Sequence, residues 1–223
     1  MSPETVRDLV ARIERKDLST AAHTWRVVLY ARALMEVFGL DDEHIRLGVH
    51  GAALHDVGKI EIPDTILQKP ASLTDEEFEI IKIHPVTGYA RMLELGVEDE
   101  PILDLIRYHH ERWDGLGYPY GLKGHDIPRS ARMFSVIDAF DAMTTVRPYR
   151  TDIDDDALQR ALDELERGVG SRYDPEAVEA FTSLIRSGSL DFVRHHFNDT
   201  VPVPEYPSED DGPRPADTGA TRS

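Results

Sequence analysis

The sequence predicts an all-α protein: a single globular helical bundle followed by a disordered C-terminal tail. Three observations carry that expectation. Apolar residues recur at helical spacing along most of the chain, alternating runs of strand length are absent, and residues that start and stop helices punctuate the pattern. With 223 residues, 40% of them hydrophobic, the chain can bury one good core. No internal repeat at a solenoid period divides it.

The elements follow in order. Ser2-Pro3-Glu4 places a capping residue, a proline and an acid ahead of Val6, Leu9, Val10 and Ile13, so residues 1–14 are expected as an N-terminal helix. A second run, about Thr20 to Phe38, stops at Gly39, and a third, about Asp42 to Val57, stops at Gly58. Thr74 and Glu77 form a capping box before "FEIIKIH", and Pro85 breaks or restarts that helix before "VTGYARMLELG". Later runs cover about Pro101 to Trp113, Ser130 to Thr145, Asp154 to Arg167 and Pro175 to Ser187. The loop from Gly115 to Pro128 is long and Gly-rich, a type more often functional than idle. From residue 201 the chain is proline-rich with little apolar content, so the main domain is placed at 15–198 and a disordered tail at 199–223.

Composition excludes several chemistries. With no cysteine there is no disulfide, zinc ribbon, iron–sulfur cluster or thiol nucleophile, and the chain suits a reducing cytosol. The first residues are charged and lack the apolar core of a signal peptide, and no stretch approaches the length of a membrane span. A soluble, cytoplasmic protein without membrane contact is expected. The net charge of −17 argues against a DNA or RNA polymer as partner, because tracking phosphates needs clustered Lys and Arg. A small anionic substrate is compatible with that charge if metal ions or a few basic residues supply local positive potential.

Ten histidines are present. His44, His50, His125, His195 and His196 lack a neighbouring acid in a recognisable arrangement and read as surface or hydrogen-bonded core residues. His23, His55-Asp56, His84, His109-His110 and Asp138 differ, because each lies within or beside an apolar helical stretch. An unsatisfied polar side chain there costs several kcal/mol. Five imidazoles and two carboxylates converging in a helical core would be satisfied by metal ions. Imidazole with carboxylate and no sulfur suits iron, manganese, zinc, nickel or cobalt, and is too nitrogen-rich for calcium or magnesium. Seven ligands exceed one tetrahedral centre and fit two octahedral ions sharing a bridging carboxylate and a bridging water or hydroxide. Neighbours on a helix diverge by about 100°, so His55 and Asp56, or His109 and His110, cannot both aim at one point from mid-helix. Two ions a few ångströms apart relax that demand.

The stretches "HTWRV", "ALHDVGKIEIPDTILQKPASLTDEEFEIIKIHPVTGYARM", "IRYHHERWDGLGYPYGLKGHDIPRSARM" and "VIDAFDAMTTVRPYR" together resemble the HD-GYP family of HD-domain metal-dependent phosphohydrolases, in the family's order and over roughly residues 15 to 190. The resemblance implies one metal held by His23, His55, Asp56 and Asp138 and another by His84, His109 and His110, with Asp56 bridging. It implies that Lys59 contacts the substrate phosphate, and that Tyr118, Arg147 and Arg150 contact a cyclic dinucleotide. The family's usual substrate is cyclic di-GMP, cut to pGpG and in some members onward to GMP. Two departures stand out. Ser19 occupies the position where some members place an acid for a third metal, so a two-metal site is expected. Arg150 stands where some members have Lys, keeping the charge with a different hydrogen-bond geometry. Many relatives join this domain to a sensory module; only about fifteen residues precede the matching region here.

The implied function is a metal-dependent phosphodiesterase, with iron or manganese as the expected metal, attack by a metal-bridged hydroxide, and Lys59 neutralising charge in the transition state. Asp141, one turn after Asp138, is placed among the catalytic residues as a candidate to position the water or Lys59, or to anchor a neighbour. Two alternatives stay open. One is a catalytically weak module that binds a cyclic dinucleotide and signals by contact; the other is a phosphohydrolase for another nucleotide. Regulation by a partner protein, and homodimerisation through the N-terminal helix, are compatible with the sequence.

Overall fold

The computed structural model describes residues 1–16, 21–145 and 156–197. The expectations for Ser19, Arg147, Arg150 and the 199–223 tail therefore lie outside the described residues. Along the described chain run α1 (Pro3–Lys16), α2 (Ala21–Val37), α3 (Asp42–Leu54), a 3-10 turn (Val57–Glu61), α4 (Asp64–Leu67), α5 (Asp75–Ile81), α6 (His84–Glu94) and α7 (Glu100–Tyr108). A second 3-10 turn (Gly124–Asp126) leads to α8 (Arg129–Thr144), α9 (Ala157–Arg167), α10 (Pro175–Arg186) and α11 (Asp191–His196). Among the described residues the only β pairing is an isolated bridge between Val169 and Tyr173, so the all-α expectation holds.

The helix starts obey the sequence punctuation. Asp41 accepts a 2.9 Å hydrogen bond from the His44 amide at the head of α3. Thr74 and Glu77 close a reciprocal capping box on α5, with bonds of 3.2 and 2.8 Å. Pro85 does restart the chain, since α6 begins at His84 with the proline in its first turn. α4 and α11, of four and six residues, were not foreseen, being too short to show a helical period.

The core is continuous. α2 packs on α3 and α8, α3 on α7, and α7 on α6 and α8. Val6, Leu9, Val10 and Ile13 bring α1 into the same core, against α3 and the 57–61 turn. Tyr30, Phe140 and Phe181 pack edge to face at the centre, with ring centroids 5.1 to 5.7 Å apart.

Two helices end earlier than their periodicity suggests. α3 stops at Leu54 and α7 at Tyr108, so His55-Asp56 and His109-His110 sit just beyond helix ends rather than within them. Beyond α3 the chain passes so close to α6 that only glycine fits at position 58. A Cβ there would lie 1.9 Å from the His84 carbonyl oxygen and 2.6 Å from the Gly88 amide, because the 57–61 turn runs directly against the first turns of α6.

Candidate metal centre

The fold gathers the predicted ligands at one place. His23 comes from the first turn of α2, His55 and Asp56 from the end of α3, His84 from the start of α6, His109 and His110 from the end of α7, and Asp138 from the middle of α8. Two groups result, His23/His55/Asp56 and His84/His109/His110, each with its ligand atoms within 4.8 Å of one another. Asp56 lies between them, one carboxylate oxygen 3.2 Å from His55 Nε2 and the other 3.4 Å from His84 Nε2. Asp138 stands outside both groups. It is partly buried beside them, and its charge acts on His55 and His110.

Hydrogen bonding fixes which nitrogen faces inward. His55 Nδ1 donates to the Ala52 carbonyl at 2.8 Å, His84 Nδ1 to Ile81 at 2.8 Å, and His109 Nδ1 to Ile106 at 3.0 Å. A carbonyl only accepts, so in each ring Nδ1 carries a proton and Nε2 is the nitrogen that faces the interior, with its lone pair free in His84 and His109 and a proton shared toward Asp56 in His55. His84 Nε2 and His109 Nε2 consequently face each other at 3.3 Å. Two lone pairs at that distance repel unless a cation is shared between them. The donor set, imidazole nitrogen with carboxylate oxygen and no sulfur, thus fits a transition-metal cation, with the carbonyl contacts orienting the ligands.

Electrostatics separates the two groups. Burial pulls the His55 imidazole down, but Asp56 more than offsets this and lifts it to about 9. Burial pushes the Asp56 carboxyl up, and His55 and then Lys59, 2.7 Å away, outweigh it and hold the group well below the usual carboxylate range. Burial drives His84 down, His109 well below its ordinary value, and His110 to about 3. Without a metal, one group carries a proton at neutral pH and the other carries none.

Asp141 is fully buried behind this centre. Its carboxylate accepts from His23 Nδ1 at 2.8 Å and from the Arg26 guanidinium at 2.5 and 3.1 Å. Burial raises its pKa, yet the His23 and Arg26 bonds prevail and hold it at about 2. Arg26 also donates to the Phe197 carbonyl at 2.6 Å, tying the end of α11 to this network. Sequence reasoning gave Arg26 no role, although a lone cation three residues after His23 on an apolar helix face was a readable sign.

The Gly-rich loop closes the other side. Glu111 accepts from the amides of Tyr120 and Leu122 at 2.7 and 3.0 Å, and the Tyr118 amide donates to the His110 carbonyl at 3.2 Å. Gly117 is required for this approach, since a Cβ there would sit 2.3 Å from the Arg112 amide nitrogen. The Tyr118 ring stacks on His110 with centroids 4.7 Å apart. Burial, and then the Asp56 charge, push its hydroxyl pKa up. A cavity of about 430 Å³ opens here, lined by His109, His110, Tyr118 and Asp138 among others. Trp113 packs away from the ligands, against His125 and Arg132.

Comparison with known proteins agrees with this geometry. The HD-domain profile matches residues 6–177. A cyclic di-GMP phosphodiesterase of Thermotoga maritima is 43% identical over 175 residues, which cover 77% of this chain and 46% of the relative. A 3'3'-cGAMP-specific phosphodiesterase of Vibrio cholerae is 35% identical over 185 residues, covering 80% of this chain and 34% of the relative. The chain thus spans less than half the length of these two curated relatives. A solved cyclic GMP-AMP-specific phosphodiesterase of V. cholerae shares the fold, with a TM-score of 0.63 at 18% identity over 87% of this chain and 53% of that one. No described helix is long and apolar enough to cross a membrane. The profile match over most of the chain, the identity to these relatives, and the motifs at 55–56 and 117–119 place this chain in the HD-domain family, within its HD-GYP group.

Proposed function

We propose that this chain is a metal-dependent phosphodiesterase that opens a cyclic dinucleotide, cyclic di-GMP in first place, to linear pGpG, with GMP as a further product. The observation that carries the reading is the Asp56 carboxylate, set between two imidazole groups with the Lys59 ammonium 2.7 Å away. The relative at 43% identity, named for cyclic di-GMP, supports the substrate class.

Two divalent ions, iron or manganese, would be held by His23, His55, Asp56 and Asp138 on one side and by His84, His109 and His110 on the other, Asp56 serving both. Bound there, they would supply positive charge to the phosphate oxygens and lower the pKa of water. The remaining work belongs to the protein. Lys59 presents its ammonium to the reacting phosphate and neutralises charge as the bond to the leaving sugar oxygen breaks. Asp141 acts as a positioning residue: through His23 Nδ1 it fixes the ring that faces the metal. Tyr118, held by the Glu111-anchored loop, contributes an aromatic surface for the substrate beside His110. Arg147 and Arg150 are proposed to fork onto the second phosphate or a guanine edge.

A second substrate is favoured by one observation, the relative at 35% identity named for 3'3'-cGAMP. One experiment separates the readings. The protein is purified anaerobically with iron or manganese, bound metal is quantified, and cyclic di-GMP and 3'3'-cGAMP are offered in parallel, with Asp56→Ala as control. About two metals per chain with pGpG or GMP formed by the unaltered protein alone supports the proposal. Faster turnover of 3'3'-cGAMP moves the substrate, and full metal loading without product from either removes the activity.

A further inference from the structure

One wall of the cavity beside the metal centre has no part in the chemistry above. It is the C-terminal turn of α5, where Phe78 and Lys82 lie one turn apart and both line the cavity. Lys82 Nζ stands 5.8 Å from the Phe78 ring centroid and 5.6 Å from that of Tyr118. Tyr118 in turn stacks on His110. A row of groups, His110, Tyr118, Lys82 and Phe78, therefore leads from the ligands to the rim.

Packing does not account for this row. Phe78 is 48% exposed, so about half of it is left to solvent. Lys82 offers a cation to that rim in a chain of net charge −17. The other cations lining the cavity are paired with carboxylates as well. Arg112 forks onto Asp114 at 3.1 and 2.6 Å, and Arg172 bonds Glu164 at 2.6 Å. The carboxylate partner of Lys82 is Glu79, 2.7 Å away with its side chain 68% exposed, a pair that water screens and a ligand anion can replace.

We propose that Phe78 and Lys82 form an accessory nucleotide subsite. Phe78 takes the face of one nucleobase, and Lys82 pairs with an anionic oxygen of the nucleotide whose phosphate is not being cut. The inference rests on the cyclic-dinucleotide reading and deepens it. A ligand with two phosphates and two bases reaches beyond the metal centre once one phosphate is bound there, and a stacking ring beside a cation suits the half that remains.

The test uses the intact, manganese-loaded chain and the variants Phe78→Ala, Lys82→Gln and Lys82→Arg. Three quantities are measured: KM and kcat for cyclic di-GMP, Kd for its hydrolysis-resistant phosphorothioate analogue, and turnover of methyl p-nitrophenyl phosphate, a small diester with no base. Expected are rises of about tenfold in KM and Kd for Phe78→Ala and Lys82→Gln, kcat within about twofold, recovery in Lys82→Arg, and unchanged turnover of the small diester. Active variants with unaltered KM and Kd overturn the subsite alone. So does a fall in kcat shared with the small diester, which would place the two residues in the chemistry or the fold. Affinity lost in the variants of a protein that binds and never cleaves upholds the subsite and removes the hydrolytic reading. An unaltered protein that neither binds nor cleaves overturns both.

Discussion

His55 and His110 lie in one site and sit about six pH units apart, one lifted to about 9 by Asp56 and the other lowered to about 3 by burial. A metal must displace the His55 proton but meets lone pairs already free on His84, His109 and His110. Loading the His23/His55/Asp56 group at pH 7 to 8 is therefore expected to release the His55 proton, and its affinity to rise about tenfold per pH unit until about 9. The His84/His109/His110 group is expected to load without proton release. Calorimetry in buffers of different ionisation enthalpy reads this directly, and heats independent of buffer would refute it. Asp141 is the second residue with a sharp consequence. Asp141→Asn removes the charge facing the fully buried Arg26 and loosens His23, so a loss of about 3 kcal/mol and a 10- to 100-fold weaker first metal are expected. Thermal unfolding and metal titration check the two effects separately. The ligand residue types were legible in the sequence because imidazole and carboxylate in apolar surroundings need a partner. The role of Arg26 was not assigned, because its partner Asp141 lies 115 residues away.

Helix ends decide whether those residues meet. The Thr74/Glu77 box was legible in the sequence because donor and acceptor lie three residues apart; the caps at Asp41 and Asp174 are equally short-range but were not assigned from the sequence. The early ends of α3 and α7 are a different matter. Periodicity alone carried both helices too far, and the segment that follows α3 is shaped by a contact between segments, the close approach of α6 to Gly58. Gly58→Ala is therefore expected to force the 57–61 turn away from the His84 carbonyl, costing about 1–3 kcal/mol and separating Asp56 and Lys59 from His84. Lower metal occupancy together with a reduced melting temperature would bear this out; occupancy like that of the unaltered protein would show that the turn yields without moving the ligands.

For the molecule as a whole, the buried charge network makes stability depend on pH. Asp141 has a folded-state pKa of about 2 against an ordinary 3.8. A depressed carboxyl contributes stability that is present above its unfolded value and lost as pH falls through the folded one. The metal-free protein is thus expected to lose about 2 kcal/mol between pH 5 and 2 through this group, and Asp141→Asn to lack that part of the acid transition. Urea titrations at a series of pH values measure the difference. Metal should act in the opposite sense: at a hundredfold excess over its Kd it adds about 2.7 kcal/mol, which a chelator removes. By itself the sequence determined the helical class, the principal helices, the Thr74/Glu77 capping box and the donor chemistry of the site, because period, capping and residue type are local properties. The tertiary structure alone decided where α3 and α7 end, which imidazole nitrogens face inward, how Asp56 falls between two groups, and that Arg26 holds Asp141. Each of these depends on distances between segments far apart in the chain, which packing sets and composition does not encode.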